Sequence, residues 1–123
     1  MITKKNVLIV DDDKNNLMLE KDLMELAGFE AFTAENALDG IALARKEIPD
    51  VIIMDVRLPD MTGTEAAKIL RQGKSTCDIP IAFVTASVMA DGMENIKVIT
   101  NSVFIGKPIN TRTFAKEINE LIK

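Results

Sequence analysis

Five short apolar runs alternate with longer segments of helical period along the chain. The runs are Val7 to Val10, Glu30 to Thr33, Val51 to Met54, Ile81 to Val84 and Val103 to Ile105. Four of them are apolar on both faces, the signature of parallel strands covered by helices on each side, while Glu30 to Thr33 alternates and suits a sheet edge. Between the runs, Leu19, Leu23, Leu26 and Ala27 recur at helical spacing, and Gly28 follows as a C-terminal cap. A second helix is predicted from Asn36 to Glu47, closed by Pro49. A third begins near Thr64 with an apolar stripe of Ala66, Ile69 and Leu70, and the last carries Phe114, Ile118, Leu121 and Ile122. The fourth, within Met89 to Thr100, has the weakest pattern, because Gly92 interrupts it and Val98, Ile99 and Thr100 are β-branched. The whole reads as a βα repeat with a parallel sheet, and such sheets bind ligands beyond the carboxyl ends of their strands.

Composition narrows the class. At 123 residues and 47% apolar content the chain suits one domain, residues 1 to 123, with no residues left after the last helix for an output domain. Cys77 is the single cysteine, so no internal disulfide forms. No leading apolar segment is long enough for a signal peptide or a membrane span, which gives a cytoplasmic expectation and no membrane insertion. The net charge of −4 argues against direct nucleic-acid binding, which wants a basic face. That charge is uneven: residues 1 to 60 hold 13 acids and 7 bases, residues 61 to 123 hold 6 acids and 8 bases. Histidine is absent, which removes the commonest general base and metal ligand. With no Trp or Tyr, stacking platforms for single-stranded nucleic acid are missing too.

The residues that follow each strand are where the chemistry concentrates: Asp11, Asp12 and Asp13 after the first, Asp55 after the third, Thr85 after the fourth, Lys107 after the fifth. With the first and third strands adjacent, Asp11, Asp12 and Asp55 meet at one edge. Two carboxylates 4 Å apart repel by roughly 4 kcal/mol at an effective dielectric of 20, so the cluster calls for a cation or a proton. Oxygen ligands without His or Cys select a hard ion, Mg²⁺ or else Mn²⁺, and an ion with few protein ligands keeps room for water and phosphate oxygens. Lys107 offers a point charge and Thr85 a hydroxyl to a transferring phosphoryl group. A carboxylate is then the available nucleophile, and Asp55, alone at its strand end, is the candidate.

Taken together, Ile9-Val10-Asp11-Asp12, Ile53 to Pro59 around Asp55, Met61-Thr62-Gly63, Val84-Thr85-Ala86 and Lys107-Pro108 resemble the receiver domains of two-component response regulators, over essentially the whole chain. The resemblance implies a flavodoxin-like, doubly wound five-stranded parallel sheet of order 2-1-3-4-5 with helices on both faces. It makes Asp55 the phosphoacceptor, Asp12 a direct Mg²⁺ ligand, Asp11 a water-mediated one and the backbone carbonyl of Arg57 a third. It also makes Thr85 and Lys107 the holders of the phosphoryl oxygens, Phe104 the aromatic switch and the Lys107–Pro108 bond cis. The implied function is phosphorelay signalling without conventional enzyme activity, beyond catalysis of the protein's own phosphorylation and dephosphorylation. The partners are a histidine kinase or phosphotransfer protein and a downstream protein that meets the face of the fourth helix, fifth strand and fifth helix. Arg57 and Ser87, two residues past Asp55 and Thr85, stand where the family varies, and are expected to tune the lifetime of the acyl phosphate.

Plainer roles compete at several positions. Asp13 is expected to cap the first helix and not to bind metal. Phe104 alone reads as core, and Lys107 alone as a loop lysine before proline. Three other functions remain to be tested: a flavodoxin-like cofactor carrier, which the three acids after the first strand oppose; an aspartyl phosphatase, which would want an acid where Arg57 stands; and a phosphorylation-independent scaffold.

Overall fold

The computed structural model describes residues 4–86 and 99–122. Its elements run β1 (Asn6–Val10), α1 (Lys14–Leu26), β2 (Glu30–Ala34), α2 (Ala37–Glu47), β3 (Val51–Asp55), α3 (Gly63–Gln72), β4 (Ile81–Thr85), β5 (Ser102–Gly106) and a C-terminal helix (Phe114–Asn119). The strands form one parallel sheet in the order β2-β1-β3-β4-β5, as expected. The region predicted as a fourth helix falls outside the described residues except for Ile99 and Thr100, which are not helical. Among the described residues no helix is long and apolar enough to cross a membrane.

Alternation along the strands divides the core into two layers. Leu8, Val10, Ile52, Met54, Ile81 and Phe83 point to the side covered by α2 and α3, where Ala37, Ile41, Ala44, Ala66, Ala67 and Leu70 meet them. Val7, Ile9, Val51, Ile53, Ala82 and Val84 point to the other side, against Met24 of α1 and Phe114 and Ile118 of the C-terminal helix. β1, β3 and β4 are therefore buried on both faces. β5 departs from its predicted double burial: it forms the second edge of the sheet, and Val103 is 38% exposed.

Local chemistry sets the helix ends. Asp13 caps α1 by accepting from the N–H groups of Asn15 and Asn16 at 2.9 and 3.3 Å, the role its sequence position suggested. Thr62 caps α3 by accepting from the Glu65 N–H at 3.1 Å. Gly28, at φ +94°, supplies the left-handed residue just past α1.

The apolar stripe expected on α1 is not its buried face. Leu19 and Leu26 are 40% and 86% exposed, while Glu20 and Met24 turn inward beside the partly buried Leu17 and Leu23. Apolar residues at 17, 18, 19, 23, 24 and 26 surround most of the helix, so periodicity fits more than one phase. Contact with the layer of Val7, Ile9, Phe29 and Phe114 selects the phase observed.

Candidate functional site

The sheet register brings the strand ends together. Val10 pairs with Met54, Asp55 with Val84, and Thr85 with Gly106, so Asp11, Asp55, Thr85 and Lys107 leave the sheet along one edge. Backbone bonds continue the ladder past the strands: the Asp11 N–H donates to the Ala34 carbonyl at 3.0 Å and the Lys107 N–H to the Thr85 carbonyl at 2.8 Å. The Lys107–Pro108 peptide is cis, as the resemblance implied.

One carboxylate oxygen from each of Asp11, Asp12 and Asp55 lies within 4.8 Å of the others. Asp11 is 1% exposed and Asp55 9%, whereas Asp12 faces solvent. The Lys107 ammonium sits between the two buried acids, donating to Asp55 Oδ2 at 3.0 Å and to Asp11 Oδ2 at 3.3 Å. The Asp13 N–H holds the second oxygen of Asp11 at 2.9 Å, and the Arg57 N–H holds Asp55 Oδ1 at 3.1 Å. Above them opens a cavity of about 420 Å³ lined by Asp12, Asn16, Asp55, Arg57, Thr85 and Lys107, among others. A larger groove of about 620 Å³ beside α2 has Glu35, Asp39 and Lys46 on its walls, all exposed, and no comparable buried polar group.

Burial governs the electrostatics. It pushes the Asp11 carboxyl from 3.8 up to about 6, with the Asp55 charge adding and the Asp13 N–H and Lys107 opposing. Burial alone would pull the Lys107 ammonium down, but its hydrogen bond to Asp55 and the charges of both acids outweigh that, and its net shift is upward. The oxygen-only donor set, two buried acids and one open edge fit a hard divalent ion. Asp12 and Asp55 border the cavity from which such an ion would keep its waters.

Each predicted strand-end residue stands at this edge. Thr85 is 1% exposed. The Arg57 side chain is exposed while its backbone joins the site. Phe104 is half-buried, its ring 5.6 Å from that of Phe83 and tilted by 40°, packed on the α2 and α3 layer. Ser87 lies outside the described residues. Two residues of α1 were not anticipated. Asn16 lines the cavity, and Glu20, one helical turn further along the same face, is 2% exposed. Burial raises the Glu20 carboxyl from 4.5 to about 8, with the charges of Asp11 and Asp55 adding and Lys107 opposing. The spacing of Asn16, Glu20 and Met24 in steps of four was the available signal, hidden by the more apolar stripe beside it.

The family model described as the response regulator receiver domain matches residues 7–119. The chain belongs to this family. Receiver domains serve two-component signalling, and they are not conventional enzymes. Among its relatives, this receiver is 36% identical over 118 residues to the polar-differentiation response regulator DivK of Brucella anthropi, with 96% of each chain covered. It superposes on the chemotaxis response regulator CheY4 of Vibrio cholerae with a TM-score of 0.90 at 30% identity, covering 98% of this chain and 100% of that one. The receiver domain of the sensor histidine kinase PA1611 of Pseudomonas aeruginosa, 20% identical with a TM-score of 0.88, shares the fold; the alignment covers 97% of this chain and 98% of that one. That structure carries a magnesium ion coordinated in its active site cleft.

Proposed function

We propose that this receiver accepts a phosphoryl group on Asp55 from a histidine kinase or phosphotransfer protein, with Mg²⁺ as cofactor, and passes the signal on through a protein-binding surface. The observation that carries this reading is the Lys107 ammonium held 3.0 Å from Asp55 inside a cluster of three carboxylates that lie within 4.8 Å of one another. Asp11, Asp12 and Asp55, with the Arg57 backbone carbonyl, would hold the ion. When bound, Mg²⁺ supplies positive charge that offsets the clustered acids and the phosphoryl oxygens. Mn²⁺ suits the same donors.

In the transfer, an Asp55 carboxylate oxygen attacks phosphorus and forms a new P–O bond. The bond from phosphorus to the donor nitrogen or oxygen breaks, and its electron pair stays with the donor. Lys107 then pairs with phosphoryl oxygens in place of the carboxylate it holds now, and the Thr85 hydroxyl donates to another. Movement of Thr85 would free the space toward which Phe104 turns, so modification favours one of two packings and shifts the population between them. The readout face is that of the predicted fourth helix, which lies outside the described residues, together with β5 and the C-terminal helix. A cytoplasmic location belongs to the same reading. Arg57 and Ser87 would tune how long the acyl phosphate survives, and single replacements that leave its decay unchanged would exclude that role.

Incubation with a small acyl phosphate and Mg²⁺, followed by intact mass measurement, tests the core of this reading. A single labile phosphoryl adduct is expected, absent in Asp55→Asn. No adduct in the wild type favours a phosphorylation-independent scaffold, and sustained release of phosphate favours a phosphatase.

A further inference from the structure

Asp60 stands at an exposed position in the loop between β3 and α3, outside the motifs on either side of it. Its carboxylate reaches across to α2. Oδ1 accepts from the Ala37 N–H and Oδ2 from the Leu38 N–H, each at 2.9 Å. These are the first two donors of α2, which no turn of the helix itself can satisfy. Asn36, the residue in the capping position, takes only the third, the Asp39 N–H at 2.8 Å. The cap of α2 is thus shared between a neighbour in sequence and a residue from the loop after the candidate phosphoacceptor.

The other end of this link is the acid site. The loop that carries Asp60 is closed by an antiparallel bridge between Arg57 and Thr62, by the Gly63 N–H donating to the Val56 carbonyl at 2.7 Å, and by the Arg57 N–H bonded to Asp55. Meanwhile α2 presses on β1: a Cβ added at Gly40 would come within 2.7 Å of Val10 Cγ2, one residue before Asp11. Asp60 therefore ties the loop leaving β3 to the helix that rides on β1, and these two strands deliver Asp55 and Asp11.

We propose that Asp60 is a positioning residue for the acid site: its two bonds to α2 hold the loop of residues 56–62, and with it the backbone beside Asp55 from which the Arg57 carbonyl would reach the ion. The part that concerns the ion rests on the Mg²⁺ reading given above. Four proteins test it: wild type, Asp60→Ala, Asp60→Asn and Asn36→Ala. Amide hydrogen exchange of Arg57 and Gly63 is followed by NMR without metal, and Mg²⁺ affinity is measured by calorimetry.

In Asp60→Ala both amides are expected to exchange about tenfold faster, the size of one lost hydrogen bond. Mg²⁺ affinity falls about tenfold, the low end of what loss of outer support costs a metal site. Asp60→Asn keeps one acceptor oxygen and falls between. Asn36→Ala frays the same helix without touching the loop, and leaves both readouts near wild type. Unchanged amides in Asp60→Ala overturn the proposal, as does an Asn36→Ala effect of equal size, which would mean helix fraying alone. An affinity loss that Asp60→Asn reproduces in full, and that about 0.5 M salt removes, overturns it in favour of simple charge. If the wild type binds no Mg²⁺ the metal reading fails, and the exchange data alone uphold or overturn the positioning role.

Discussion

Replacing Glu20 with glutamine should make the protein more stable, and increasingly so as pH rises. The carboxyl is 2% exposed and burial raises it to about 8, so the folded state keeps it protonated up to about that pH while the unfolded chain ionises near 4.5. Between those two values the unfolded state binds fewer protons than the folded one, and stability therefore falls with pH across that window and levels off above it. At 1.36 kcal/mol per tenfold change in ionisation, the folded protein loses about 1 kcal/mol at pH 5, about 3 kcal/mol at pH 7 and about 4 kcal/mol at pH 8. Glutamine matches the protonated acid in size and polarity and has no such window. The shift of Asp11 is common to both proteins and cancels to first order. For a chain of this length about 1 kcal/mol moves Tm by about 4 °C, so the variant should melt about 12 °C higher at pH 7 and only about 4 °C higher at pH 5. Chemical and thermal unfolding followed by far-ultraviolet circular dichroism at pH 5, 7 and 8 reads this directly. Parallel curves for the two proteins would refute the reasoning, since the carboxyl would then ionise alike in both states. A glutamine variant less stable at pH 8 would refute it more strongly, because the carboxylate would then have a favourable partner.

Other consequences follow from the same geometry. Because Lys107 opposes the upward push on Asp11, Lys107→Met should carry the Asp11 midpoint above 6, read from its side-chain carboxyl carbon in an NMR pH titration; an unchanged midpoint would show that Lys107 has no part in setting it. With Asp11 near 6, protons compete with cations below that pH, and Mg²⁺ affinity measured by calorimetry should fall about tenfold between pH 7 and pH 5. Gly63→Ala should cost about 2 kcal/mol in denaturant unfolding, because the added Cβ runs into the Asp55 carbonyl oxygen and neither backbone can yield cheaply.

Much of the molecule was legible along the chain because a parallel sheet makes local information spatial. Strands buried on both faces must be unbroken apolar runs, and the residue after each run must emerge at one edge. Asp55, Thr85 and Lys107 could therefore be grouped before any contact was known, and the register places them at one edge. The cap at Asp13 was equally local, a side chain bonding N–H groups two and three residues ahead.

What the chain alone left open depends on partners distant in sequence. The phase of α1 was decided by the layer it packs on, which turned Glu20 inward and Leu26 outward against the simplest apolar stripe. The contrast between buried Asp11 and exposed Asp12, neighbours of identical chemistry, came from the sheet and Lys107 closing over one and not the other. Asp60 lies between two motifs, and nothing in its sequence neighbours marks the bonds it takes from the first two N–H groups of α2. Periodicity and spacing report what a residue does within its own element. Burial and long-range hydrogen bonds belong to pairs of elements, so it took the packed tertiary structure to decide them.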